Sequence, residues 1–152
     1  MKIALLNDTH FGCRNDSPAF IEYQNKFYND LFFPYLQQNN IKTLIHLGDV
    51  VDRRKFDISK DAKVYTHATT VEFDGLPILF IPWICDDNEA ETIRTIENTT
   101  SSIAMGHLEI KGFEMHNGHM NEHGTEKSMF KRFEKVMSGH FHKKSDDGHI
   151  YY

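Results

Sequence analysis

The run Thr43-Leu44-Ile45-His46-Leu47 stops abruptly at Gly48-Asp49. A short apolar run closed by Gly-Asp reads as a buried strand that delivers a carboxylate to a sheet edge. In open α/β sheets, ligands gather beyond the carboxyl ends of the strands. A strand of this kind commits the chain to an α/β plan and puts Asp49 where a metal site would be built. Alone, Gly-Asp is equally a common turn pair. The reading gains weight only if other strands end in the same way.

They do. Lys2 to Leu6 is an apolar run of strand length, followed by Asn7-Asp8-Thr9-His10-Phe11-Gly12. Asp8 and His10 are two apart, so on an extended strand end their side chains point the same way. Ser102 to Met105 runs into Gly106-His107, and Lys135 to Ser138 runs into Gly139-His140-Phe141-His142. The candidate ligands are therefore Asp8, His10, Asp49, His107, His140 and His142, with Asp49 central. Mixed imidazole and carboxylate donors suit manganese, iron or zinc better than magnesium or calcium. A carboxylate can bridge two cations, and a two-metal site clamps the attacking and leaving oxygens of a phosphoryl displacement.

The segments between these ends fill in an α/β chain. Ser17 is a candidate N-cap before Pro18, and a helix is expected from Pro18 to about Gln38, bent near Pro34. Its stripe of Phe20, Phe27, Leu31 and Tyr35, with Tyr23 and Gln24 close by, reads as core packing. Asn39-Asn40 ends it, because Asn tolerates the left-handed conformation. Strand, helix, strand makes a right-handed crossover and a parallel pair, with Asp8, His10 and Asp49 at one edge. Lys63-Val64-Tyr65 looks like another short strand. Too few residues precede it for a crossover, so it is either antiparallel or a helical segment is missing. Asp74-Gly75 between Thr69–Phe73 and Leu76–Ile81 signals a hairpin. A helix is expected from Asn88 to Glu97. His116, His119 and His123 lie in a polar stretch and read as exposed loop histidines, although their spacing also suits a metal-binding helix face. A short helix over Glu126–Lys135 turns Met129, Phe130 and Phe133 inward, and His149–Tyr152 opens a further strand.

The 152 residues, 39% of them apolar, suit one domain over 1–152 with a real core. No run approaches membrane-spanning length, and the N-terminus is too soon interrupted by Asp8 for a signal peptide. Two cysteines, Cys13 and Cys85, make no disulfide framework, which fits a reducing cytoplasm. A net charge of -5 argues against a broad basic surface for nucleic acid. It leaves room for a nucleic-acid enzyme, because bound divalent cations reverse the local charge.

The strand-end set resembles the calcineurin-like metallophosphoesterases. It is most similar to their DNA-repair nuclease branch, the SbcD-type and phage recombination exonuclease subunits. The matching pieces are Asn7–Gly12, Leu47–Lys55, Phe80-Ile81-Pro82-Trp83, Met105-Gly106-His107 and Ser138–His142. The resemblance implies a layered α/β sandwich, with mixed sheets flanked by helices, shortened internally and at the C-terminus. It implies two divalent ions, manganese foremost: one held by Asp8, His10, Asp49 and His142, the other by Asp49, His107 and His140. Asp52 and Arg53 would orient substrate phosphate or the ligands themselves. DNA as substrate, an SMC-like ATPase partner, a homodimer as one assembly, and recombination-repair work are implied with it.

One departure stands out. The family carries a Gly-Asn-His motif whose Asn binds the second ion and whose His assists the leaving group. Here the nearest sequence is His116-Asn117-Gly118-His119, in the wrong order and after His107. Its absence coincides with the cramped connection between Arg54 and Lys63, where a segment is expected to be missing. No catalytic acid is assigned. Besides a nuclease, the sequence leaves open a phosphatase or small-molecule phosphodiesterase with the same chemistry. It also leaves open a degenerate module that keeps metal and serves assembly; the missing motif favours that reading.

Overall fold

The computed structural model describes residues 1–52, 62–116 and 118–152. They fall into two compact units, one within Met1–Asp57 and one within Ile58–Tyr152. The chain is α/β, with a parallel strand pair, a mixed sheet and flanking helices, as expected from the sequence.

In the first unit, β1 (Ile3–Leu6) pairs in parallel with β2 (Thr43–His46), Leu6 opposite His46. The crossover between them is helical. A turn at Cys13–Asp16 has left-handed φ values of 53°, 58° and 56° at Arg14, Asn15 and Asp16. Helix α1 (Pro18–Phe27) follows, with Pro18 in its first turn. Ser17 precedes it without a side-chain capping bond. A π-helical segment, Tyr28–Phe32, then leads into α2 (Phe33–Gln38). The bend expected near Pro34 is this π turn. A proline ring clashes with the carbonyl four residues back. Widening the preceding turn, so that Phe33 N–H reaches Tyr28 O, relieves that clash. Asn40 ends the helix at φ 51°.

The π turn also changes which face is inward. The expected stripe of Phe20, Phe27, Leu31 and Tyr35 is exposed, Leu31 to 64%. Gln24, Tyr28, Phe32 and Leu36 are half-buried instead. Residues four apart drift by about 40° per step on an α-helix, and a wider turn cancels part of that drift. Tyr28 is the hub, with rings of Phe11, Phe27, Phe32 and Phe33 at 5.1–5.8 Å. Burial there raises its phenol pKa.

In the second unit, five strands run β3-β4-β5-β8-β9. Strands β3 (Thr69–Phe73) and β4 (Leu76–Ile81) form the predicted hairpin, antiparallel. Asp74 and Gly75, at φ 49° and 80°, supply the two left-handed residues such a tight turn needs. Strands β4, β5 (Ile103–His107), β8 (Lys135–Gly139) and β9 (Ile150–Tyr151) are parallel. Helix α3 (Glu89–Asn98) buries Thr92 and Ile96. Arg132 donates to the carbonyls of Ile96, Glu97 and Thr99 at its end, where a cation is favourable. The core gathers Leu79, Ile81, Ile96, Ala104, Leu108, Ile110, Phe113, Phe130, Phe133, Val136, Phe141 and Ile150.

In the second unit three expectations change. Lys63–Tyr65 is not a strand; Tyr65 stacks on Phe80 of β4 at 5.2 Å and is covered by Lys63. The polar stretch contains a small hairpin, β6 (Glu114–His116) with β7 (His119–Met120), not a plain loop. Only Lys127–Phe130 of the expected helix over 126–135 is helical, as one 3-10 turn, although Phe130 and Phe133 are buried as predicted.

Candidate metal centre

Each unit carries three of the six candidate ligands at the carboxyl ends of its parallel strands. In the first, the two strands do not simply fray. Beyond β1 and β2 their extensions stay zipped: Leu47 N donates to Leu6 O at 2.9 Å, Asp8 N to Gly48 O at 3.1 Å and His10 N to Asp49 O at 2.9 Å. The pairing continues to Phe11 and Val50, then Asp52. Yet Asp8, His10 and Asp49 have φ values of 49°, 42° and 48°. Asp8 and His10 are therefore not on an extended strand end, which corrects the expectation. Their backbone is left-handed, a conformation that is rare for residues other than glycine and gathers at functional sites.

The side chains meet. His10 Nε2 lies 3.5 Å from Asp49 Oδ2, and His10 Nδ1 lies 3.8 Å from Asp52 Oδ1. Asp8 brings a carboxylate oxygen within 4.8 Å of a His10 ring nitrogen and of an Asp49 oxygen. Two donors bonded to one ion at about 2.0–2.1 Å stand roughly 3–3.5 Å apart, so His10 and Asp49 fit a shared ion. Asp52 faces the other nitrogen of the ring, at ion-pair range and beyond the reach of a hydrogen bond. Arg53, the other residue expected to meet substrate, lies outside the described residues.

Sequence reading missed the groups that hold this set. His46 Nδ1 accepts from Gly48 N at 3.2 Å, which fixes the tautomer. Its Nε2–H then donates to Thr9 Oγ1 at 2.9 Å, and Thr9 donates to Val50 O at 2.8 Å. Gln24 of α1 donates to Thr9 O at 2.8 Å and ties the helix to the ligand loop. The signal available was Thr9 itself, a hydroxyl between two ligands, and a histidine two residues before Gly48.

In the second unit, His107 is the last residue of β5 and faces Gly139 of β8 in register. His140 follows β8 at φ 94°. The His107 and His140 rings meet edge-on, with centroids 5.3 Å apart. Trp83, just past β4, packs against both, at 6.0 Å and 5.1 Å. Gly106 is required here, since a Cβ would stand 2.4 Å from Ile81 O. Ser138, buried, accepts from Leu108 N at 2.9 Å and ties the chain after His107 to β8. Phe141 turns into the core and packs at a tilt against Tyr152, centroids 4.8 Å apart. Tyr152 Oη donates to Leu108 O at 2.8 Å, and burial pushes its phenol pKa well up, so it stays a neutral donor. His142 lies beyond, exposed on the same loop, as do His119 and His123 on theirs.

In donor chemistry both sets fit borderline divalent cations: carboxylates with one imidazole in the first unit, imidazoles in the second. No family model matches the chain. Over 92 residues, 60% of its length, it is 40% identical to a protein of Enterobacteria phage T4 named exonuclease subunit 1. The match spans 27% of that protein, so this chain corresponds to only part of such a relative.

Proposed function

We propose that this chain carries the metal-dependent phosphodiesterase centre of a DNA nuclease subunit, of the calcineurin-like metallophosphoesterase type. The observation that carries the reading is the likeness to a phage exonuclease subunit, in a chain whose parallel strands end in Asp and His. On this reading Asp8, His10, Asp49 and His142 hold one ion, and Asp49, His107 and His140 a second. Manganese, which the family resemblance favours, is among the cations that suit that donor set, with iron and zinc. When bound, such ions lower the pKa of a water and neutralise charge on the phosphate. The chain's own groups do the rest. Asp52 adds negative charge beside the His10 ring, the His46–Thr9 relay holds the Asp8–His10 loop, and Trp83 confines the His107–His140 pair. DNA and an SMC-like ATPase subunit are the partners this reading entails.

The reading is tested with bis-p-nitrophenyl phosphate and linear DNA in added manganese. Wild type hydrolyses both, and Asp49→Ala loses at least about 100-fold, since even the groups that merely orient metal ligands cost 10–100-fold when removed. Equal rates for the two proteins overturn it. A second reading, a metal-binding module without turnover, is favoured by one observation: no Gly-Asn-His occurs in the 152 residues. Bound metal with no hydrolysis by wild type selects it.

A further inference from the structure

Trp83 is 45% exposed, although it sits directly beside two candidate ligands. It is also fixed. Asn88 donates to Trp83 O at 2.8 Å and accepts from Cys85 N at 2.9 Å, so the turn after β4 is clamped from the start of α3. Next to the indole is an open, shallow cleft lined by Trp83, Ile84, Leu108, Glu109, Gly124 and Thr125. Gly124 is the residue that brings the two walls together; a Cβ there would stand 2.4 Å from Glu109 O.

From these features we infer that the Trp83 cleft takes a nucleobase of the DNA strand whose phosphate is held at the neighbouring histidines. The inference rests on the nuclease reading for its substrate class. The lining selects a base over a phosphate: it offers an aromatic face, two aliphatic side chains and an acidic residue, and no cation. A phosphate would meet Glu109 without compensation, whereas a base presents a flat apolar face to the indole. Stacking of this kind is sequence-tolerant, because every base has a π-face. A rigid indole also loses little freedom on binding, unlike a long flexible side chain. Trp83 is thus a positioning residue: it anchors the strand and sets which phosphodiester reaches the metal.

The test is binding of the full chain to a short single strand carrying 2-aminopurine, without metal so that no cleavage intervenes. The control strand has the same length and phosphates but abasic sites. Trp83→Ala weakens binding of the normal strand by about 5- to 150-fold, the range of base–aromatic stacking. It leaves the abasic strand unaffected, and 2-aminopurine quenching is lost with it. Trp83→Phe, which keeps a ring, falls between. Equal weakening of both strands, or no weakening of either, overturns the base cleft. The nuclease reading fails separately: a chain that binds bases through Trp83 but hydrolyses no bis-p-nitrophenyl phosphate keeps the cleft and loses the catalytic assignment.

Discussion

The two units present similar strand ends on unlike foundations. Behind His107 and His140 stands a sheet whose central strands are buried through Leu79, Ala104 and Val136. Behind Asp8 and Asp49 stands a two-stranded parallel sheet whose one buried residue is Ile45, with Leu47 buried just beyond it and Leu5 and Leu44 exposed. Parallel sheets are normally covered on both faces. In the first unit the ligands are held chiefly by polar groups, namely the backbone zip, Gln24 and the His46–Thr9 relay. In the second they are held by packing. Ligand sets at similar strand ends can thus be fixed by hydrogen bonds or by a core, and substitutions should tell the two apart.

The largest contrast is in stability. Phe130 is fully buried in the second unit, and Leu31 is exposed on the first unit's helix. Phe130→Ala should cost about 3–5 kcal/mol. Leu31→Ala should stay within about 0.5 kcal/mol, as surface changes do. Urea unfolding of the two variants measures both. A comparable loss for Leu31→Ala would mean that its face is covered in the working protein, which would erase the contrast.

This contrast marks where sequence reading succeeds. Strands β1, β2, β5 and β8 were legible because an apolar run ending in Gly plus Asp or His is a local signal. The Asp74-Gly75 hairpin was legible because two left-handed residues in a row have few sequence solutions. The inward face of the crossover helix was not. It depends on the π turn before Pro34, which shifts the packed residues from Phe27 and Leu31 to Tyr28 and Phe32. The left-handed backbone at Asp8, His10, Asp49 and His140 was also hidden. Asp and His tolerate that region better than most residues, but tolerance does not say where it is used. Thr9 and His46 were overlooked because their role is a relay between segments far apart in sequence.

Metal binding sharpens the comparison next. On the proposed assignment, His10→Ala should weaken one manganese ion by at least about 10–100-fold, and His140→Ala the other, on the scale set by groups that support metal ligands. Asp49→Ala should weaken both. Equilibrium dialysis with metal analysis counts the ions. If His10→Ala and His140→Ala lose the same ion, the two sets are not distributed as proposed.

Within the second unit, backbone fit can be separated from backbone conformation. Gly124 and Gly148 have nearly equal φ, 83° and 85°, but a Cβ at Gly148 meets nothing within 4 Å. Gly148→Ala should cost about 1 kcal/mol, the conformational penalty alone. Gly124→Ala should cost more, about 2–3 kcal/mol, because Glu109 O must also move. Equal melting temperatures for the two variants would show that the Glu109–Gly124 approach relaxes without cost.

The smallest expected effect concerns charge. Asp147 Oδ1 accepts from His149 N at 3.1 Å and Ile150 N at 2.9 Å, and Oδ2 from Lys127 Nζ at 2.9 Å, which pins the start of β9. Burial tends to raise its pKa, but the bonds from Ile150, Lys127 and His149 outweigh burial and lower it. A carboxyl whose folded pKa is depressed contributes stability that is complete above its unfolded pKa, about 3.9. That contribution is lost as pH falls through the folded value. Because the pair with Lys127 is partly exposed, solvent screens it to under about 1 kcal/mol. Asp147→Asn keeps an acceptor for both backbone groups and removes the charge together with the acceptor for Lys127. Its deficit should therefore appear at pH 7 in low salt, shrink in high salt, and vanish in acid. Urea titrations under those three conditions check the sign. A deficit that persists in acid would mean that Asp147 works through shape and hydrogen bonds alone, as the ligand-holding groups of the first unit do.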